Sequence, residues 1–336
     1  MNNILITGGA GFIGSNLVHY WAENFKEDKI FVVDNLSYAA NLKNIQNLIN
    51  KGSVKFFKID IKSHQAIKEL LFENNINLVA HLAAESHVDR SIKSPNSFIE
   101  SNINGTYFLL EAVREFWNTK GRNDNFRFLH VSTDEVFGSL TSNDKPFDEN
   151  SNYDPSSPYS ASKASSDFLC NAWQKTFKIP ILISNCSNNY GPYQYPEKLI
   201  PLSIKNLKEN KFIPIYGDGS NVRDWLFVDD HCDALSKILL KGKVGERYCI
   251  GGNNEYSNLE LITMICKICD KLKVNLKTNP SSKLIKFVSD RPGHDYRYAI
   301  NSLKIKSELG WVPKTNIEIG LQKTIEWYLQ NSSYLN

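Results

Sequence analysis

The strongest constraint on this chain is an alternation. Apolar, strand-like runs at Ile4 to Thr7, Ile30 to Asp34, Val54 to Asp60, Leu78 to Ala83 and Phe126 to Thr133 are separated by segments of helical spacing. Alternation of this kind argues for βαβ units and a parallel sheet. Pro180 to Cys186 adds a further strand, and Ser97 to Trp117 and Tyr159 to Phe177 read as long helices. The expected fold is α/β, a Rossmann-type doubly wound parallel sheet with a smaller C-terminal lobe. Past Tyr190 the pattern loosens at Gly191-Pro192, Tyr195-Pro196, Gly217-Asp218-Gly219 and Arg291-Pro292-Gly293, with short helices at Ile200 to Glu209 and Leu259 to Leu272. A length of 336 residues suits a large domain carrying a smaller one. We therefore expect a dinucleotide-binding domain over 1–189 and a mainly substrate-binding lobe over 190–330. Segments near 222–250, including the strand-like Trp225 to Asp229 and Tyr248 to Gly251, are expected to return to the first sheet.

Composition narrows the function class. Hydrophobic content of 41% and charged content of 22% are ordinary for a soluble globular protein, and no apolar run is long enough to span a bilayer. The chain enters a strand-like run at once, without a signal-peptide pattern, so a cytoplasmic protein is expected. A net charge of +3, with lysines interrupted by asparagines and acids, argues against a nucleic-acid partner. Cys170, Cys186, Cys232, Cys249, Cys266 and Cys269 read as reduced thiols, and the lone Cys266-x-x-Cys269 pair has helical surroundings and cannot close a zinc site. His81 and His87 read as structural residues, so no metal is expected.

The stretch Thr7-Gly8-Gly9-Ala10-Gly11-Phe12-Ile13-Gly14 joins the first strand to an apolar-periodic helix. Gly8 suits a tight turn, Gly11 lets the backbone approach a pyrophosphate, and Gly14 lets helix pack closely on strand. Asp34, at the end of the second strand, can accept protons from both ribose hydroxyls and repels a 2′-phosphate. No arginine follows in Asn35-Leu36-Ser37, so NAD is favoured over NADP. Asp60-Ile61 and Leu82-Ala83-Ala84 lie at further strand ends, placed for the adenine and the pyrophosphate.

Tyr159 and Lys163 are four residues apart on one helix face. The lysine ammonium is expected to lower the phenol pKa and to bind the nicotinamide ribose, leaving Tyr159 to take a proton from an alcohol as it is oxidised. Thr133 offers a hydroxyl at a strand end. Asp134 and Glu135 follow it, an acid and base that alcohol oxidation alone does not need.

The segments Gly-Gly-Ala-Gly-Phe-Ile-Gly, Ser-Thr-Asp-Glu-Val-Phe-Gly and Tyr-Ser-Ala-Ser-Lys together resemble the extended short-chain dehydrogenase/reductase family, and within it the nucleotide-sugar 4,6-dehydratases. The resemblance extends through His81 to Ile92, Asn188 to Pro201, Arg223 to His231 and Arg291 to Tyr298. Phe137 and Asn301 depart from it, standing where Tyr and Asp are more usual. The resemblance implies an NAD-dependent lyase that acts on a nucleotide-diphosphate glucose, dTDP favoured over UDP, in deoxysugar biosynthesis. Tyr159 would deprotonate the C4 hydroxyl during oxidation, Glu135 would take the C5 proton, and Asp134 would protonate the departing C6 hydroxyl. A 4-epimerase, the nearest rival, needs no such acid and base, and a non-catalytic NAD sensor needs none of these groups.

Phe12, Ile13, Asn35, Ser37, Ser101 and Asn189 are further cofactor positions implied by the resemblance. Implied substrate positions are Ser86, Thr133, Asn188, Lys198, Leu199, Pro214, Tyr216, Arg223, Asn258, Arg291, His294 and Tyr298, with Arg223 suited to a diphosphate. Relatives pair long helices into a four-helix bundle, which implies a homodimer.

Overall fold

The computed structural model describes residues 1–335 apart from 124, 275, 276 and 291. Its central sheet contains β1 (Asn3–Thr7), β2 (Lys29–Asp34), β3 (Val54–Lys58), β4 (Leu78–His81), β5 (Arg127–Thr133) and β6 (Ile181–Cys186). Four short strands follow, β7 (Asn188–Tyr190), β8 (Ile213–Tyr216), β9 (Val222–Phe227) and β10 (Arg247–Ile250), and then β11 (Glu255–Ser257) and β12 (Ile285–Val288). The large sheet is parallel throughout and runs β10-β6-β5-β4-β1-β2-β3.

The side-chain period of two explains why its strands read as unbroken apolar runs. Ile4, Ile6 and Val32 pack on one face with Leu17, Val18 and Trp21, whereas Leu5, Phe31 and Val33 pack on the other with Leu109, Val113 and Phe116. A parallel sheet covered on both faces demands apolar residues at successive positions. Strand order reverses between β1 and β4, and their carboxyl ends part there to leave a crevice where doubly wound sheets bind ligands.

Two elements differ from expectation. Tyr248 lies in β10, which pairs with β6, but Trp225 does not join that sheet. It lies in β9, between β7 and β11, and Trp225 and Phe227 enter a separate core with Tyr190, Ile204, Leu261 and Leu321. The edge beside β6 is already taken by β10, and the chain turns helical at Val228 with Asp229 and Asp230 in the first turn, where carboxylates favour a helix start.

The helix expected over Ser97 to Trp117 is not uniform. A π-helical segment at Ile99–Asn104 precedes the α-helix Gly105–Thr119. Buried Asn102 accepts from Glu85 N and donates to Glu85 O and Ser162 Oγ, so the wider turn ties this helix to the loop after β4. Segments of this kind occur frequently at functional sites.

The helix Pro158–Phe177 begins with a capping box. Ser160 N–H donates to Ser157 Oγ at 3.1 Å, Ser157 N–H donates to Ser160 Oγ at 3.0 Å, and Pro158 occupies the first turn. This start fixes Tyr159 and Lys163 on the buried face. Cys266 and Cys269 are buried on the helix Asn258–Lys271, and all six cysteines are free.

Candidate active site

A cavity of about 680 Å³ lies over the carboxyl ends of the central strands, in the size range of small-molecule sites. Every cofactor position named above lines it: the turn Gly8, Gly11, Phe12, Ile13 and Gly14; Asp34, Asn35 and Ser37 after β2; Asp60 and Ile61 after β3; Leu82, Ala83 and Ala84 after β4; and Ser101, Tyr159, Lys163 and Asn189. The glycines are required sterically. Gly8 has φ +71°, and a Cβ there would stand 2.7 Å from Ala83 N, while one on Gly14 would stand 2.1 Å from Gly8 O. Gly11 has only a 3.3 Å neighbour and leaves the entrance of the helix Phe12–Asn24 open to an anion.

Asp34 is 7% exposed and accepts from Ala10 N at 3.0 Å and Leu36 N at 2.8 Å, one at each oxygen. Burial raises its pKa, and these two N–H groups lower it. The carboxylate is thus oriented by the backbone at the cavity wall, with lone pairs remaining for ribose hydroxyls. Asp60 is held similarly by Lys62 N–H and by Asn35 Nδ2. Ala83 N–H donates to Thr7 Oγ1, which lies 2.8 Å from His81 Nδ1, and His81 Nε2 lies 3.0 Å from Thr106 Oγ1. His81 and Thr7 are therefore part of the buried frame beneath the turn.

Thr133, Asp134, Glu135, Tyr159 and Lys163 share the opposite wall of the crevice. Thr133 ends β5 and caps the short helical turn Asp134–Phe137, accepting from Glu135 N at 3.2 Å, so the cap itself sets the two carboxyl groups at the strand end. Asp134 is 2% exposed, and its Oδ2 is buried without a hydrogen-bond partner among the described residues. Burial, then the charges of Glu135 and Asp224, raise its pKa well above the carboxylate range. Asp224 accepts from Gly252 N and Asn254 N at 2.8 Å each, and burial pushes it up to about 6. Asp134 therefore stays protonated when ordinary carboxyls have ionised.

Burial raises the Tyr159 phenol, as do the nearby Glu135 and Cys186, whereas a hydrogen bond with Thr133 lowers it. Lys163 Nζ donates to Val131 O at 2.9 Å. Thr133 Oγ1 donates to Asp134 Oδ1 at 3.2 Å.

Ser86, Asn188, Lys198, Leu199, Pro214, Tyr216, Arg223, Asn258, His294 and Tyr298 also line the cavity, whereas Arg291 lies outside the described residues. Arg223 is 5% exposed; it donates to Val222 O, Asp295 O and Tyr296 O and stacks 4.4 Å over Tyr298. Its planar fork is thereby fixed at the wall. Lys198 Nζ donates to Ser86 O at 3.1 Å, Tyr216 OH donates to Asp89 Oδ2 at 3.3 Å, and His294 Nδ1 lies 2.6 Å from Asp290 Oδ1.

Tyr38, Tyr195 and Glu197 also line the cavity and had not been singled out as site residues: Tyr38 and Tyr195 meet ring to ring at 4.9 Å, with Arg90 covering Tyr38 at 3.3 Å, and Glu197 Oε1 lies 3.4 Å from Nε2 of His87, which lines the cavity as well. Tyr38 follows Ser37 and Glu197 precedes Lys198, so extending each chosen position by one residue would have found both. No group of three or more metal-type ligands occurs among the described residues, and no described helix is long and apolar enough to cross a membrane.

Comparison with known proteins follows the same lines. A family model described as GDP-mannose 4,6 dehydratase matches residues 5–324. A probable dTDP-glucose 4,6-dehydratase of Sinorhizobium fredii is 50% identical, over 98% of this chain and 93% of that protein. The structure of dTDP-glucose 4,6-dehydratase from Bacillus anthracis, in complex with NAD, is 43% identical at a TM-score of 0.88, covering 99% of this chain and 98% of that one. A Streptomyces venezuelae dTDP-glucose 4,6-dehydratase with NAD and TYD bound superposes at 0.89 with 39% identity, covering 99% and 98%.

Proposed function

This chain belongs to the nucleotide-sugar 4,6-dehydratases, and from that membership we propose that it converts dTDP-glucose to dTDP-4-dehydro-6-deoxy-glucose, with NAD as cofactor. The observation that carries the reading is the buried Asp134 carboxyl beside Glu135, in one cavity with Tyr159 and Lys163, where burial and the neighbouring charge raise its pKa. Oxidation and return at C4, the whole task of an epimerase, gives such a pair nothing to do. Elimination across C5 and C6 requires it.

The residues present suit the dinucleotide: the turn has no room for side chains at Gly8 and Gly14, and Asp34 presents a fixed carboxylate at the strand end. Gly11 to Gly14 would hold the pyrophosphate, Asp34 the adenosine ribose, and Lys163 the nicotinamide ribose. Bound NAD supplies the two-electron chemistry, oxidising C4 and later reducing C6. Tyr159 accepts the C4 hydroxyl proton, assisted by Thr133. The resulting ketone acidifies the C5 proton, which Glu135 removes. Asp134 donates its proton to the C6 hydroxyl, which leaves as water, and Glu135 returns a proton to C5 as C6 becomes a methyl group. Arg223, His294 and Lys198 would bind the diphosphate side, and Ser86, Asn188 and Asn258 the sugar and nucleoside.

We also propose a division of labour between 1–189, for the cofactor, and 190–330, mainly for the substrate. A homodimer is supported by the exposed Ile99, Tyr107 and Phe168 on the segments around 99–119 and 158–177. Six buried free thiols suit the reducing cytoplasm.

Incubation with dTDP-glucose, UDP-glucose and GDP-mannose in deuterated water tests the function. Proton spectra should show a new C6 methyl group and deuterium at C5 from dTDP-glucose. Retention of the C6 hydroxymethyl group with inversion at C4 would make the protein an epimerase.

A further inference from the structure

Behind Lys163 lies a closed polar network that the proposed steps do not use. The Lys163 ammonium stands 3.5 Å from His130 Nε2, and the same nitrogen stands 3.1 Å from Asp167 Oδ1. His130 and Asp167 side chains are 0% exposed. The other carboxylate oxygen, Oδ2, accepts from Tyr153 OH at 2.5 Å and from Asn185 Nδ2 at 3.3 Å. Asn185 Nδ2 also donates to Thr133 O at 2.9 Å. The Asp167 carboxylate and the Lys163 ammonium thus lie on either side of one ring nitrogen of His130, and Asn185 ties that carboxylate to the strand end that carries Thr133, Asp134 and Glu135.

An isolated buried carboxylate is costly, so its charge needs a nearby cation. The basic and acidic groups around it leave few candidates. His81 and His130, on β4 and β5, are kept neutral by burial, and burial likewise keeps the Cys170 and Cys186 thiols protonated. Arg247, on β10, stacks 4.7 Å over the Tyr153 ring, one residue removed from the carboxylate. Tyr159, Asp134 and Glu135 lie on the cavity side of Lys163. Burial raises the Asp167 carboxyl, but the nearby Lys163 and the hydrogen bond from Tyr153 help bring it below its usual range. Burial lowers Lys163, and Asp167 is the first of the groups that oppose that effect.

We propose that Asp167 is the buried counter-ion of Lys163, close enough to act through space, and that it keeps the lysine an ammonium while anchoring the Thr133 strand end. It is a positioning residue. The proposal rests on the reading that Lys163 works as a cation in cofactor binding.

The test is NAD binding as a function of pH, together with a thermal double-variant cycle, neither of which requires turnover. In Asp167→Asn, NAD affinity should begin to fall at a pH about one unit or more below that of the unsubstituted protein, because Lys163 loses its proton earlier. Tyr153→Phe, which removes a neutral donor and no charge, should leave that limb in place. An unchanged alkaline limb in Asp167→Asn would overturn the proposal. In the cycle, Asp167→Asn and Lys163→Met should each lower the unfolding midpoint, and the double variant should recover most of the loss. Additive losses would contradict the pairing, as would a double variant that fails to fold when Lys163→Met folds. Should Asp167→Asn alone not fold, a folded double variant still supports it. Failure of the dehydratase reading shows separately, in product spectra.

Discussion

At the scale of single residues, the site separates two neighbouring carboxyl groups by burial. Asp134 lies in the protein with one oxygen unpartnered and its pKa raised, beside Glu135. Because its folded pKa lies above the unfolded value, its protonation favours the fold most fully below the ordinary carboxylate range. That contribution is lost as pH rises through the raised value. The sign for catalysis is the same, since a general acid works only while protonated. Dehydration should fall on the alkaline side as Asp134 ionises, and Asp134→Asn should slow it on the order of 10²–10⁴-fold while C4 oxidation persists, as rapid-quench product analysis would reveal. Gly8, Gly14, Asp34, Tyr159 and Lys163 were legible in the sequence because their types and spacings follow from local geometry. His130 and Asp167 were not: one lies on a strand and the other on a helix, and only packing brings them to 3.1 Å. The same limit hid the Lys163 bond to Val131 O.

Among elements, the π-helical segment at Ile99–Asn104 is the least ordinary device. It turns Asn102 into the link between the loop after β4 and the helix carrying Tyr159, through Glu85 and Ser162. Asn102 is 1% exposed, so Asn102→Ala should cost about 2–3 kcal/mol in urea unfolding, from three lost hydrogen bonds and the buried groups left unpaired. NAD affinity should weaken with it, since Ala83 and Ala84 precede Glu85 at the cavity wall. Apolar periodicity revealed a helix here but not its wide turn, because the apolar face is carried mainly by Gly105–Thr119 and the π-helical segment before it is only six residues long. The strand at Trp225 shows a related limit. Its apolar run was recognisable, but the choice of sheet depended on β10 occupying the edge beside β6.

For the molecule as a whole, the seven-stranded sheet was readable from its doubly buried strands, whereas the two smaller sheets were not. Its three-stranded and two-stranded sheets are built from strands of three to six residues, too short for periodicity to assign partners. The surface of the large domain carries the other whole-molecule expectation. Phe168 is 59% exposed and Tyr107 40% exposed, each on a long helix beside the site. Sedimentation should give twice the chain mass, and Phe168→Glu should shift the protein toward a monomer without altering the parallel sheet beneath it. A monomer in the unsubstituted protein would remove the homodimer.

The central claim is that Tyr159 and Lys163 serve the oxidation while Asp134 and Glu135 carry out the elimination. Glu135→Gln, incubated with dTDP-glucose in deuterated water and quenched during turnover, tests it most directly. The account predicts a C4 ketone that still bears its C6 hydroxyl, with no deuterium at C5 and no C6 methyl group. Deuterium at C5 and a C6 methyl group formed at the unsubstituted rate would contradict it.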